Sequence, residues 1–115
     1  MIPKILIVDD LKDNRLMIKL TLKKAGDYQF IEAVNGKDGI DIALKELPHI
    51  ILMDAMMPVM DGYEVCKILK NNIKTSKIPI IFLSAKYEMD DIKKGFKLGA
   101  VDYITKPFNP IELLV

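Results

Sequence analysis

The sequence has a single cysteine, Cys66. An internal disulfide is therefore excluded, and so is a zinc site built on cysteines. It has no charge excess either: 17 basic residues face 16 acidic ones, for a formal net charge of +1. Non-specific nucleic-acid binding rests on a basic surplus, so that class is disfavoured. No apolar run approaches the length of a membrane span. No secretory leader is expected at the start of this sequence, because Ile5-Leu6-Ile7-Val8 runs straight into Asp9-Asp10. Low-complexity stretches and linkers rich in Pro, Gly or Ser are missing. Neither GxGxxG nor a GxxxxGK phosphate loop follows any apolar run, which removes the usual nucleotide-binding readings. What is expected of these 115 residues, half of them apolar and 29% charged, is one soluble, cytoplasmic globular domain.

What is present is an alternation. Short, β-branched apolar runs occur at residues 5–8, 30–34, 50–53, 78–83 and 101–105. Three are nearly continuous, as strands buried on both faces require. The second is more polar and suits an edge. Helical spacing lies between them. Ile40, Ala43, Leu44 and Leu47 follow i, i+3, i+4, i+7, and Leu16, Ile18, Leu20 and Leu22 make a similar stripe. Val65, Ile68 and Leu69 continue the theme, as do Met89, Ile92 and Phe96. All of these read as core. Asp13 or Asn14 can cap the first helix, and Asn35-Gly36, Asp61-Gly62 and Gly99 stand where turns and helix ends are needed.

The expected fold is α/β: a doubly wound, five-stranded parallel sheet with right-handed crossovers and helices on both faces. Its expected strand order is the flavodoxin-like 2-1-3-4-5. Residues 111–115 give a fifth helix barely one turn long, where about 11 residues are usual. Either the helix is truncated by a cut from a longer protein or it is abnormally short; the cut is the favoured reading.

In such a sheet, sites form outside the carboxyl ends of the strands, near the switch point between the first and third. The first run ends in Asp9-Asp10, the third in Asp54, the fourth in Ser84 and the fifth in Lys106-Pro107. Three carboxylates repel one another unless a cation joins them. A few carboxylates with waters and phosphate suit Mg²⁺. With Mg²⁺ and Lys106 the site has no net formal charge. It can then accept a phosphoryl group, whose transfer depends on positioning and charge neutralisation. Asp54 is the candidate carboxylate nucleophile.

These residues resemble a known family, the receiver domain of two-component response regulators, over essentially the whole chain. Ile5 to Asp10 resembles its first strand and acidic pair. Asp54-Ala55-Met56-Met57-Pro58-Val59-Met60-Asp61-Gly62 resembles the segment around its phosphoacceptor, Ser84-Ala85 its hydroxyl position, and Gly99 to Phe108 its fifth-strand signature. The resemblance implies that Asp54 takes a phosphoryl group from the histidine of a sensor kinase or from a phosphotransfer protein. It implies that Asp10, Asp54 and the backbone carbonyl of Met56 ligate Mg²⁺, with Asp9 assisting through water. Lys106 and Ser84 would bind phosphoryl oxygens, and Tyr103 would turn inward when Ser84 moves. By the same resemblance, the face made by the fourth helix, fifth strand and fifth helix would shift to control an output, through a phosphorylation-dependent homodimer or another partner. Lys93, Lys97 and Tyr103 are candidate contacts there, although the ordinary reading of such lysines is a solvated helix face.

Phosphorylation would add charge and strong acceptors at Asp54, a local change with a distant readout. Met56 and Lys86, two residues after Asp54 and Ser84, flank the path of the hydrolytic water in the resemblance. Neither orients water as a carboxylate or amide does, so slow self-dephosphorylation is expected. The domain is thus expected to be a binding module rather than an enzyme, catalysing only its own phosphorylation and slow dephosphorylation. The alternative is a Mg²⁺-dependent phosphohydrolase with Asp54 as nucleophile; a receiver that signals without phosphate is a third reading. Residues 1–115 form one receiver domain in this reading, at the start of a longer protein or trimmed from a stand-alone regulator. His49 reads as an ordinary residue at the far end of the sheet, and Cys66 as a small side chain in or near the core.

Overall fold

The computed structural model describes residues 2–55 and 57–83, together with the backbone of 84 and 102–105. In chain order the elements are β1 (Lys4–Val8), α1 (Lys12–Lys23), β2 (Gln29–Ala33), α2 (Gly36–Glu46), β3 (Ile50–Asp54), α3 (Gly62–Lys70), β4 (Ile80–Ser84) and β5 (Asp102–Thr105). The pairings are parallel, and the expected order β2-β1-β3-β4 is found, with the short β5 paired beyond β4. The helical patterns at Met89–Phe96 and 111–115 lie outside the described residues, and so do Lys86, Lys93, Lys97 and Lys106.

Alternation along each strand divides the core in two. Leu6 and Val8 of β1, Ile51 and Met53 of β3, and Ile80 and Phe82 of β4 join Ala43 of α2 and Val65, Cys66 and Leu69 of α3 on one face. Ile5 and Ile7, Leu52 and Leu83 join Ile18 and Leu22 of α1 on the other. Both faces of β1 and β3 are therefore covered, which is why their sequences are apolar without interruption. β2 lies at the edge, where Gln29 and Glu32 are exposed. Its polar composition has that cause.

Four sequence expectations need correcting, the first being Ile68 of α3, which was expected in the core and is 43% exposed. The apolar stripe of α1 is not Leu16, Ile18, Leu20 and Leu22 together. Ile18 and Leu22 are buried, whereas Leu16 and Leu20 are 47% and 52% exposed. Residues two apart on a helix point about 200° from one another, so the two pairs cannot share a face. Arg15 completes the buried stripe at i, i+3, i+7. Neither Asp13 nor Asn14 caps this helix. Leu11 stands at the N-cap without a side-chain bond, and the Asp9 carboxylate accepts from the Leu11 N–H at 2.9 Å instead. Leu47 does not belong to the core of α2; it ends the helix in the left-handed region (φ 46°) and is exposed.

The other helix starts follow expectation. Asn35 accepts from the Asp38 N–H at the head of α2, and Asp61 from the Glu64 N–H at the head of α3. His49 lies where expected, at the start of β3 and far from the acidic edge. Its Nδ1 accepts from the Lys4 N–H at 2.9 Å, tying β3 to β1 at that end. Cys66 is fully buried, and burial pushes its thiol pKa up from the ordinary value.

Candidate functional site

The acidic residues meet because of strand register. Val8 of β1 pairs with Met53 of β3. The next residue on each strand is an aspartate, so Asp9 and Asp54 leave the sheet side by side at its carboxyl edge. Asp10 follows in the turn to α1. One carboxylate oxygen from each of Asp9, Asp10 and Asp54 lies within 4.8 Å of the others. Asp9 and Asp54 are 1% and 5% exposed, and Asp10 is the more open of the three.

The backbone puts β4 at the same level. Asp54 pairs with Leu83, so Ser84 lies one residue further along the edge, opposite Thr105 of β5. Tyr103 pairs with Phe82, three residues before position 106. The strand ends expected to form the site are thus neighbours in the sheet. Met56, Lys86 and Lys106 lie outside the described residues.

The segment after Asp54 is anchored from below. Ala55 donates from its N–H to Leu83 O at 3.1 Å, and both Ala55 and Met57 are buried in the core under α2 and α3. The chain then turns sharply. Met60 N–H bonds to Pro58 O at 2.8 Å across Val59, which is fully exposed with φ 68°. This is a γ-turn of positive φ, a strained form, and Val is β-branched, which adds to the cost. Gly62 then brings the start of α3 back against Asp54. A Cβ on Gly62 would lie 2.3 Å from the Asp54 backbone oxygen. The residue must be glycine for this close approach. Its role in shaping the acidic site goes beyond the turn signal read from the sequence.

A second group was not legible in the strand-end pattern. Arg15 is 9% exposed. Its Nη1 donates to the backbone oxygen of Asp9 at 2.8 Å and its Nε to Glu32 Oε1 at 3.0 Å. Lys19 Nζ donates to Glu32 Oε2 at 2.9 Å. The Lys19 hydrogen bond, followed by that of Arg15, holds the Glu32 carboxyl below its ordinary value against an opposing effect of burial. One signal existed: Arg15 is a charged residue on the i, i+3, i+7 stripe that Ile18 and Leu22 bury.

Chemically, three clustered carboxylates with two buried members are a costly arrangement without a cation. All the donors are hard oxygens at close range, which fits a hard divalent ion of the Mg²⁺ type. Among the described residues no helix is long and apolar enough to cross a membrane.

Comparisons with known proteins agree on one family. Residues 5–115 match the family model for the response regulator receiver domain. The chain is 44% identical over 110 residues to a probable transcriptional regulator ycf27 of Porphyra purpurea, covering 96% of this chain and 44% of that protein. It is also 44% identical over 110 residues to the phosphate regulon transcriptional regulatory protein PhoB of Pseudomonas aeruginosa, covering 96% of this chain and 48% of that protein. The chain spans less than half the length of these curated relatives. Among solved structures it resembles a putative response regulator from Chloroflexus aurantiacus, with a TM-score of 0.93 and 35% identity over 99% of this chain and 93% of that one. The phosphohydrolase alternative finds no support among these relatives.

Proposed function

Because the chain belongs to the receiver domains of two-component response regulators, we propose that Asp54 is its phosphoacceptor and that the acidic cluster holds the Mg²⁺ the reaction needs. The observation that carries this reading is the convergence of the Asp9, Asp10 and Asp54 carboxylates within 4.8 Å at the carboxyl edge of β1 and β3.

A carboxylate oxygen of Asp54 attacks phosphorus of a phosphohistidine in the sensor kinase or phosphotransfer protein. The new O–P bond forms as the bond from phosphorus to the imidazole nitrogen breaks, and that nitrogen leaves with its electron pair. Asp10, Asp54 and the backbone carbonyl of Met56 would hold Mg²⁺, with Asp9 assisting through water, and the cation would supply positive charge against the phosphoryl oxygens. Lys106 adds a second positive charge, and the Ser84 hydroxyl donates to a phosphoryl oxygen. Burial of Asp9 and Asp54 excludes water and strengthens both interactions. Movement of Ser84 toward the phosphoryl group lets Tyr103 turn inward. The domain then changes the surface it presents to an output region, a second copy or another partner, with Lys93 and Lys97 as candidate contacts. Met56 and Lys86 leave the hydrolytic water unoriented, so the phosphorylated state persists. In this role the domain catalyses only its own phosphorylation and slow dephosphorylation.

Intact-mass measurement tests the proposal. With Mg²⁺ and acetyl phosphate the chain gains one phosphoryl group, and Asp54→Ala gains none. The adduct outlasts seconds in the absence of a phosphatase. Rapid donor consumption with no adduct would return the phosphohydrolase reading, and an adduct that forms equally well under a chelator would remove the metal.

A further inference from the structure

Arg15 is costly where it stands. A buried guanidinium loses hydration that an apolar residue at the same point would not need. Core packing therefore does not explain it, and its bonds do. Its Nη1 reaches the Asp9 backbone oxygen at 2.8 Å and its Nε reaches Glu32 at 3.0 Å. The guanidinium is a rigid, planar fork, so two anchors fix its orientation. Lys19 holds the other oxygen of Glu32 and keeps that carboxylate from swinging away.

At the other end of the fork lies the acidic turn. The Asp9 N–H donates to Ala33 O at 3.1 Å, and its carbonyl accepts from Arg15. Its carboxylate also accepts from the Leu11 N–H. The peptide joining Asp9 to Asp10 is planar and stiff. Holding its oxygen fixes the direction in which Asp10 leaves the strand. Glu32 thus tethers the turn to β2 through one side chain of α1.

We propose that Arg15 is a positioning residue for the divalent cation: it presets the Asp9–Asp10 turn so that three carboxylates already converge when the cation arrives. This rests on the reading of the acidic cluster as the Mg²⁺ site of a phosphoacceptor domain. Gathering like charges is unfavourable, and a turn held in place beforehand lowers what the cation must supply.

The sign of the effect separates positioning from simple charge. Arg15 is itself a cation. If it acted only through Coulomb repulsion, Arg15→Ala would tighten Mg²⁺ binding and Arg15→Lys would leave it unchanged. Positioning requires both variants to bind more weakly, because lysine cannot reproduce the fork.

The experiment titrates Mg²⁺ into the 115-residue chain and into Arg15→Lys, Arg15→Ala and Lys19→Ala, following the Leu11 amide resonance. The rate of phosphorylation from acetyl phosphate is measured over the same Mg²⁺ range. Both Arg15 variants are expected to bind Mg²⁺ about 10-fold more weakly. Their rates at saturating Mg²⁺ should stay within about twofold of the unaltered chain, since the reacting atoms are untouched. Lys19→Ala, which removes an outer contact, should change affinity less than about twofold. Unchanged or tighter Mg²⁺ binding in the folded Arg15 variants would overturn the proposal. If Arg15→Ala does not fold, Arg15→Lys, which keeps the charge and much of the volume, carries the decision. An unaltered chain that binds Mg²⁺ but takes no phosphoryl group would remove the phosphoacceptor reading and leave the positioning result standing. One that binds no Mg²⁺ would remove both.

Discussion

On the face covered by α2 and α3, Met53, Tyr63 and Phe82 are packed with Val65, Cys66 and Leu69. On the face covered by α1, the buried cluster of described residues is smaller: Ile5, Ile7, Ile18, Leu22, Leu52 and Leu83. The difference extends to the helices themselves. α3 buries Val65, Cys66 and Leu69 and leaves Ile68 43% exposed, and α2 meets it closely enough that a Cβ on Gly36 would lie 2.8 Å from Val65. α1 does the reverse over part of its length. It buries the guanidinium of Arg15 and leaves Leu16, Met17 and Leu20 about half exposed. One face is organised by packing. On the other, among the described residues, α1 gives part of its buried stripe to the acidic turn.

Truncations should expose that contrast. Phe82 is fully buried and its ring lies 4.8 Å from that of Tyr63. Phe82→Ala should destabilise the chain by about 3–5 kcal/mol in a denaturant melt. Leu22→Ala on the α1 face should cost about 2 kcal/mol, because a smaller side chain is removed. Equal losses at the two sites would contradict that ordering.

A smaller effect of opposite sign belongs to the rim of the site. Val59 holds φ 68° across the turn after Asp54. Val59→Asn should stabilise by about 1 kcal/mol, since Asn adopts positive φ more readily than a β-branched residue. A thermal midpoint that rises by about 4 °C is the expected reading.

Acid should act on the α1 side. Lys19 and Arg15 hold the folded Glu32 carboxyl below its ordinary value of 4.5. Its contribution is therefore present above that value and lost as pH falls through the lowered one. Glu32→Gln should be less stable than the parent near neutrality, and the gap should close as the pH falls through the lowered value. A gap that widens in acid would contradict the ion-pair network. Weakest of all should be Leu16→Lys with Leu20→Lys: both positions are about half exposed, so stability should stay within about 0.5 kcal/mol. A large loss would show that the α1 surface is covered after all.

Much of this was legible before any coordinate. The runs that became β1 and β3 were continuous because both of their faces are buried, and the edge character of β2 was visible in the polar interruption at Glu32. β4 shows where reading along the chain fails. Its run seemed to begin at Ile78, but Pro79 precedes the first strand residue, and Ile78 instead offers its carbonyl to Lys70 Nζ at 2.8 Å. A proline has no N–H to give the ladder. Leu16 and Leu20 were misplaced for a different reason. α1 carries two apolar pairs at i, i+4 spacing, and nothing local says which one meets the sheet.

By itself the sequence determined the alternation of strands and helices, the edge position of β2 and the placing of Asp9, Asp10 and Asp54 at strand ends. Each of these follows from short-range periodicity, because a residue's side of a strand depends on its neighbours alone. Only the tertiary structure decided that Asp9 and Asp54 stand side by side, that Gly62 must let α3 approach Asp54, and that Arg15 turns inward while Leu16 and Leu20 turn out. Those outcomes depend on the register between strands and on how α1 is rotated against the sheet. Both are set by hydrogen bonds and burial between segments far apart in the chain.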